Sequence, residues 1–169
     1  HAHLIALDKS SGKLLWDTEM ADWRLNYNGT AAPLVVGDLL ISGHAGGDEG
    51  VRGFVAAYDT ATGAEVWRRW TIPLRGEPGS ETWGGAAIDH GAGATWMTGT
   101  YDPELDIVYW PVGNPGPDFN GDNREGDNLY TDSILALAAK TGELQWYFQF
   151  TPHDVHDWDA NQAVILLDV

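Results

Sequence analysis

The chain has 169 residues, with 25 Asp and Glu against 9 Lys and Arg, a formal charge of −16, 43% hydrophobic residues, 21 Gly, 9 Trp and no Cys. One domain is the expectation at this length, and the apolar content supplies a core and excludes a disordered acidic tail. The charge disfavours phosphate backbones and anionic lipid surfaces, no apolar run approaches the roughly 20 residues of a spanning helix, and no disulfide can form within the stretch.

In chain order, the first element is the hairpin Ala6-Leu7-Asp8-Lys9-Ser10-Ser11-Gly12-Lys13-Leu14-Leu15-Trp16. A strand-like run from Pro33 to Ser42 follows, then one from Gly53 to Tyr58. The latter enters a second hairpin, Ala57-Tyr58-Asp59-Thr60-Ala61-Thr62-Gly63-Ala64-Glu65-Val66-Trp67. Ile107 to Val112 reads as a further strand, and Ala136-Leu137-Ala138-Ala139-Lys140-Thr141-Gly142-Glu143-Leu144-Gln145-Trp146 as a third hairpin. The three hairpins align without gaps as Ala-x-Asp-x-x-[Ser/Thr]-Gly-x-x-x-Trp, with Ala138 in place of Asp in the third. Asp binds the turn backbone, Gly supplies a positive φ, and apolar residues alternate on either side. A Trp at one register of every hairpin serves to stack one sheet on the next, as in the blades of a β-propeller. The fold class is therefore all-β, built of propeller blades, and no helical periodicity competes.

The repeated Trp residues are 51 and then 79 residues apart. A blade takes roughly 40–50 residues, so the second interval carries extra loop, where function concentrates. The loops are Trp70 to Trp96 and Pro115 to Asn128. The chain opens without Met and stops inside the apolar run Ala163-Val164-Ile165-Leu166-Leu167, which reads as a strand in progress. Residues 1–169 are thus expected to be one incomplete propeller domain, an internal piece of a longer protein.

Four clusters carry candidate chemistry: Gly46-Gly47-Asp48-Glu49-Gly50-Val51-Arg52-Gly53, Ala94-Thr95-Trp96-Met97-Thr98-Gly99-Thr100-Tyr101-Asp102-Pro103, Gly113-Asn114-Pro115-Gly116-Pro117, and Thr151-Pro152-His153-Asp154-Val155-His156-Asp157-Trp158-Asp159. Each of the first three has an ordinary reading as a turn or core segment. In the fourth, three acids and two His within seven residues repel one another unless something positive sits there. Asp154, Asp157 and Asp159 suit a hard cation with oxygen ligands. A zinc site through His153 and His156 is the weaker reading, because four ligands are needed and Cys is absent. A lone Asp there can equally serve as general base.

The repeat together with these strings resembles the quinoprotein alcohol dehydrogenases, which use pyrroloquinoline quinone (PQQ). The matching strings are Gly50-Val51-Arg52-Gly53 before Ala57-Tyr58-Asp59, Thr95-Trp96 with Tyr101-Asp102-Pro103, Gly113-Asn114-Pro115, and Thr151-Pro152-His153-Asp154 leading to Asp157. They stand in the family's order over nearly the whole chain. The resemblance implies about three blades of an eight-bladed propeller and oxidation of a small alcohol to an aldehyde. By position, it implies that Trp96 is the floor beneath the PQQ ring, Thr30 a contact to a PQQ carboxylate, and Gly46 and Gly47 the backbone closing over the cofactor. Asn114 and Asp157 fall on metal-ligand positions, and Asp157 also on the catalytic base. The family's metal-binding Glu falls on Asp48, one methylene shorter. Glu49, the neighbour, is the alternative and would point to the opposite face of an extended segment.

Asp159, two residues beyond Asp157, resembles the extra acid of the lanthanide-dependent members. A trivalent ion gains more than Ca2+ from a third carboxylate, so the expected metal set is Asp48, Asn114, Asp157 and Asp159 around a lanthanide ion, with Ca2+ second. The resemblance further implies a cytochrome c-type electron acceptor and a periplasmic location, and activity only for the full-length protein. Two other readings share the repeat: a non-enzymatic propeller scaffold of the outer-membrane assembly type, and a quinoprotein sugar dehydrogenase.

Overall fold

The computed structural model describes residues 1–160 and 162–168; Asn161 and Val169, within the expected 1–169 domain, lie outside the described residues. The first hairpin is β1 (His3–Leu7) with β2 (Leu14–Glu19). A four-stranded antiparallel sheet follows in the order β3 (Leu34–Val36), β4 (Leu39–Ser42), β5 (Phe54–Asp59), β6 (Glu65–Trp70). A second meander holds β7 (Thr100–Asp102), β8 (Ile107–Val112), β9 (Ser133–Ala138) and β10 (Leu144–Gln149), again in chain order across the sheet. Only short 3₁₀ turns interrupt this all-β architecture, and among the described residues no helix is long and apolar enough to cross a membrane.

The repeat is visible in the register. Ala6 faces Trp16, Ala57 faces Trp67 and Ala136 faces Trp146, and each pairing slips by one residue toward the turn. Asp8 Oδ1 accepts the backbone N–H of Ser10 and Ser11, and Asp59 Oδ1 those of Ala61 and Thr62. Where Ala138 stands instead, the turn lacks the carboxylate bonds and keeps Gly142 N–H to the Ala138 carbonyl at 2.9 Å and Glu143 N–H to the Thr141 hydroxyl at 3.3 Å. The first two of these Trp residues reach across to the following hairpin. Trp16 Nε1 donates to the Thr60 carbonyl and Trp67 Nε1 to the Ala139 carbonyl, both at 3.0 Å.

The sheets are stacked face to face with period-two alternation along β5. Phe54, Ala56 and Tyr58 face the first hairpin with Leu4, Met20 and Tyr27. Val55 and Ala57 face the other way, into a larger core with Trp67, Val108, Trp110, Val112, Leu135 and Leu137. A strand buried on both faces, as β5 is, belongs to the middle of a stack. The expected extra loop is found in residues 71–99 and 113–132.

Two expectations need correction. The run Ala163 to Leu167 forms no strand. Its neighbour β7 is only three residues long and offers a single side-chain bond, Thr100 Oγ1 to the Val164 carbonyl at 2.6 Å, rather than a ladder. The segment at Asp48 and Glu49 is not extended either. Gly46 and Gly50, both at positive φ (113° and 74°), bracket a 3₁₀ turn over Gly47–Glu49, so the opposite-face argument does not apply.

Candidate functional site

Three loop segments lie side by side above the sheets. The chain at 92–95 is the middle one. On one flank Thr95 N–H donates to the His44 carbonyl (3.0 Å), Ala92 N–H to Val51 (3.0 Å), and Gly53 N–H to Ala92 (2.8 Å). On the other, Gly93 N–H donates to Asn114 (3.0 Å) and Gly113 N–H to Ala94 (2.8 Å). Small residues permit this approach; a Cβ on Gly43 or Gly53 would run into the neighbouring backbone. His44 behind them is a core residue. Its Nε2 accepts the Phe54 N–H at 3.0 Å, and burial pushes its pKa down to about 4, so it is neutral.

The ends of these segments enclose a cavity of about 370 Å³. Thr30, Gly46, Gly47, Asp48, Trp96, Asn114 and Asp159 all line it, together with Glu49, Ala45 and Ala94. Seven of the eight site residues expected from sequence therefore meet in one place. Asp157, the eighth, is exposed and is not on the cavity wall, yet its charge acts on Asp159 and Asp118, and that of Asp48 acts on it.

The acids disfavour one another's ionisation. Burial first, then Asp157, Asp48 and Asp118, push the Asp159 carboxyl up, against a hydrogen bond from the Trp96 indole that lowers it. Asp157 is pushed up by desolvation, then by Asp48 and Asp154. Asp48 is a perturbing charge for Asp118, Asp157 and Asp159, and its neighbour Glu49 lines the same cavity. Gly113 keeps the site open, since a Cβ there would stand 3.2 Å from Asp159 Oδ1.

The loop carrying Asp157 and Asp159 is held from beneath. Asp154, 1% exposed, accepts the N–H groups of His156 and Trp158, both at 2.8 Å. That makes it the organiser of the turn rather than part of a cation shell. Asp157 and Asp159 both adopt left-handed backbone (φ 63° and 49°), which short polar side chains tolerate. His153 is committed through Nδ1 to the Gly126 carbonyl at 2.9 Å, and His156 stacks on Trp158, so the two do not form a zinc pair.

Sequence reasoning missed three residues here. Asp118 accepts the Asn114 Nδ2–H at 2.8 Å. Arg124, fully buried, ties the loops together, donating through Nη2 to Pro117 (3.0 Å) and Asp154 (2.5 Å) carbonyls and through Nη1 to Asn128 Oδ1 (2.9 Å). Asp132, also fully buried, accepts the Ala160 N–H through Oδ1 at 3.2 Å, and burial pushes its pKa up to about 7. None has a motif; each lies in a Gly, Pro and Asn-rich loop whose path only the fold reveals.

As a cation cradle the donor set is chemically apt: carboxylate and amide oxygens, with no sulfur and no available imidazole. Among the described residues no three His, Cys, Asp or Glu side chains stand close enough to hold one ion by themselves. The oxygen chemistry fits a hard cation; the ligand shell is unclosed. The cavity wall of Trp96, Thr30 and glycine backbone suits a flat, anionic ring system, through a large π-face and an unobstructed edge.

The family model described as PQQ: glucose/ethanol/alcohol dehydrogenase, β-propeller domain, matches residues 19–169. The chain is 38% identical to the quinoprotein alcohol dehydrogenase PedH of Pseudomonas putida over 97% of its own length and 30% of that protein's. It is also 38% identical to the lanthanide-dependent methanol dehydrogenase of Methylacidiphilum fumariolicum (98% and 30%). Against methanol dehydrogenase [cytochrome c] subunit 1 of Paracoccus denitrificans the identity is 37% (98% and 29%). Among solved structures, a europium-containing methanol dehydrogenase superposes with a TM-score of 0.94 at 37% identity, over 99% of this chain and 32% of that one. The chain thus spans under a third of the length of these relatives.

Proposed function

This chain belongs to the PQQ-dependent alcohol dehydrogenase β-propeller family, and on that premise we propose that it forms the cofactor-floor and cation-side portion of an enzyme oxidising a small alcohol to its aldehyde. The observation that carries this reading is the convergence of Thr30, Gly46, Gly47, Asp48, Trp96, Asn114 and Asp159 on one cavity, with Asp157 beside it. A non-enzymatic scaffold has no use for that convergence.

Each residue has a part. Trp96 offers its indole face to the ring plane of the cofactor, and its N–H steadies Asp159. Thr30 donates a hydroxyl to a cofactor carboxylate, and Gly46 and Gly47 let backbone close over it. Asp48, Asn114, Asp157 and Asp159 are the oxygen donors for a hard cation. The chemistry PQQ supplies when bound is acceptance of the carbinol hydride; the cation supplies Lewis-acid polarisation. Asp157 takes the hydroxyl proton of the alcohol onto its carboxylate, so that proton and hydride leave the substrate together as aldehyde forms. Desolvation first, then Asp48 and Asp154, push its carboxyl up in the cation-free chain, and a bound cation would act in the opposite direction.

A cation drawing on Asp48, Asp157 and Asp159 would gain more as a lanthanide than as Ca2+, and the likeness to a europium-containing methanol dehydrogenase supports that order. A cytochrome c-type electron acceptor is the partner this reading calls for, supported by the cytochrome c named with the Paracoccus relative, and a periplasmic location goes with it. The test is reconstitution of the full-length protein with PQQ and either a lanthanide or Ca2+, followed by alcohol-dependent dye reduction. Turnover with a lanthanide is expected; no turnover with either ion overturns the proposal.

A further inference from the structure

Asn114 is 5% exposed, lines the cavity, and sits on a loop with little freedom. Proline follows at 115 and 117, and Gly116 is so tightly packed that a Cβ would stand 3.2 Å from both the Ala92 Cβ and the His90 carbonyl. Four residues on, Asp118 Oδ1 receives the Asn114 amide N–H at 2.8 Å. Asp118 is itself fixed, because Arg124 Nη2 donates to the carbonyls on either side of the same turn, Pro117 at 3.0 Å and Asp118 at 3.4 Å.

The two ends of an asparagine amide are chemically opposite, and its terminal torsion is soft and roughly two-fold. A carboxylate has only acceptors to offer, so the NH₂ end must face Asp118. The oxygen end is then turned away from Asp118, which does not line the cavity, and toward the cavity that Asn114 does line. We propose that Asp118 is a positioning residue: it decides which end of the Asn114 amide the cation meets, and it does so by accepting a hydrogen bond rather than by ligating. This inference rests on the reading of Asn114 as an amide-oxygen ligand. Without Asp118, the amide can present its N–H groups to the cation, a repulsive encounter.

Asp118 also carries charge close to Asp48 and Asp157, and a charge alone would attract a cation. The conservative variant separates the two roles, since Asn at 118 retains an acceptor oxygen for the Asn114 N–H but loses the charge. The experiment is titration of the full-length, metal-free protein with Tb3+ alone, followed by luminescence, and with Ca2+ alone by calorimetry. Asp118→Ala is expected to weaken binding by about tenfold or more, the usual scale for a residue that orients a ligand. Asp118→Asn is expected to recover most of that loss. In an Asn114→Ala background, Asp118→Ala should cost nothing further. Thermal melts of each metal-free variant confirm that the fold is kept.

Equal losses in Asp118→Asn and Asp118→Ala would make the effect one of charge and overturn the inference, as would additive losses in the double variant. Wild-type binding with an unaffected Asp118→Ala overturns this inference alone. A wild type that binds neither ion overturns the cation-site reading and this inference with it.

Discussion

The indole of Trp16 lies over Gly63 of the next hairpin, where a Cβ would come within 2.6 Å of the ring. The same relation joins Trp67 to Gly142, and in both pairs the indole N–H is bound three residues upstream of the glycine. One glycine thus serves two demands, the positive φ of its own turn (73° at Gly63) and room for the preceding Trp. Gly63→Ala should destabilise the full-length protein by about 1–3 kcal/mol through overpacking and strain. Gly37→Ala is the control: that turn glycine also has positive φ but nothing within 4 Å of the Cβ position. Chemical unfolding in which the two variants cost the same would show that the indole contact contributes nothing.

Asp157→Asn should fold and bind alcohol yet lose about 10²–10⁴-fold in kcat, because the amide accepts no proton. The wild-type rate should rise with pH as the Asp157 carboxyl ionises, a limb that the Asn variant should lack. A steady-state pH profile of both proteins checks this.

Asp159→Ala is expected to weaken lanthanide binding by at least about tenfold while altering Ca2+ binding much less, because a trivalent ion loses more when one carboxylate is withdrawn. Parallel titrations with the two ions decide it. An equal loss for both would mean that Asp159 does not discriminate between them.

Asp132 gives a pH dependence of definite sign. Its native pKa is raised from 3.8 to about 7 by burial, so the native state holds this proton more tightly than the unfolded chain. The stabilisation is full below about pH 4 and is lost as pH rises through 7. Asp132→Asn keeps an acceptor for Ala160 and cannot ionise. It should therefore gain stability relative to wild type between pH 5 and 8, read as a widening difference in Tm.

Arg124→Met should cost about 3–5 kcal/mol, since it strands buried carbonyls of Pro117 and Asp154 that the guanidinium now satisfies. Limited proteolysis should find the 117–128 and 154–160 loops loosened together rather than singly.

Much of this was legible in sequence where chemistry and spacing are local. The hairpins announced themselves because Asp, Gly and Trp each do one job at fixed separations, and β8 followed from its continuous apolar run. The strand β7 escaped notice because three residues carry no alternation. The run at 163–167 misled because apolar composition without a long enough neighbouring edge makes no ladder. In the site, Trp96, Asn114 and Asp157 came from family resemblance, whereas Asp118, Arg124 and Asp132 act through contacts whose partners are set by loop path. Asp118 meets Asn114 across two prolines, and Arg124 meets Asp154 thirty positions away.

The hairpins share one register to the residue, while every group assigned chemistry sits outside them, in the segments at 28–50, 94–96, 113–132 and 154–160. Architecture and reactivity are thus written in different letters of the same chain. Loops can diverge between relatives, changing the ion or the alcohol, while the hairpins stay constant. The design lends itself to transplantation: grafting a relative's 113–132 segment between β8 and β9 would exchange the Asn114–Asp118 pair as a unit without altering any indole–glycine contact.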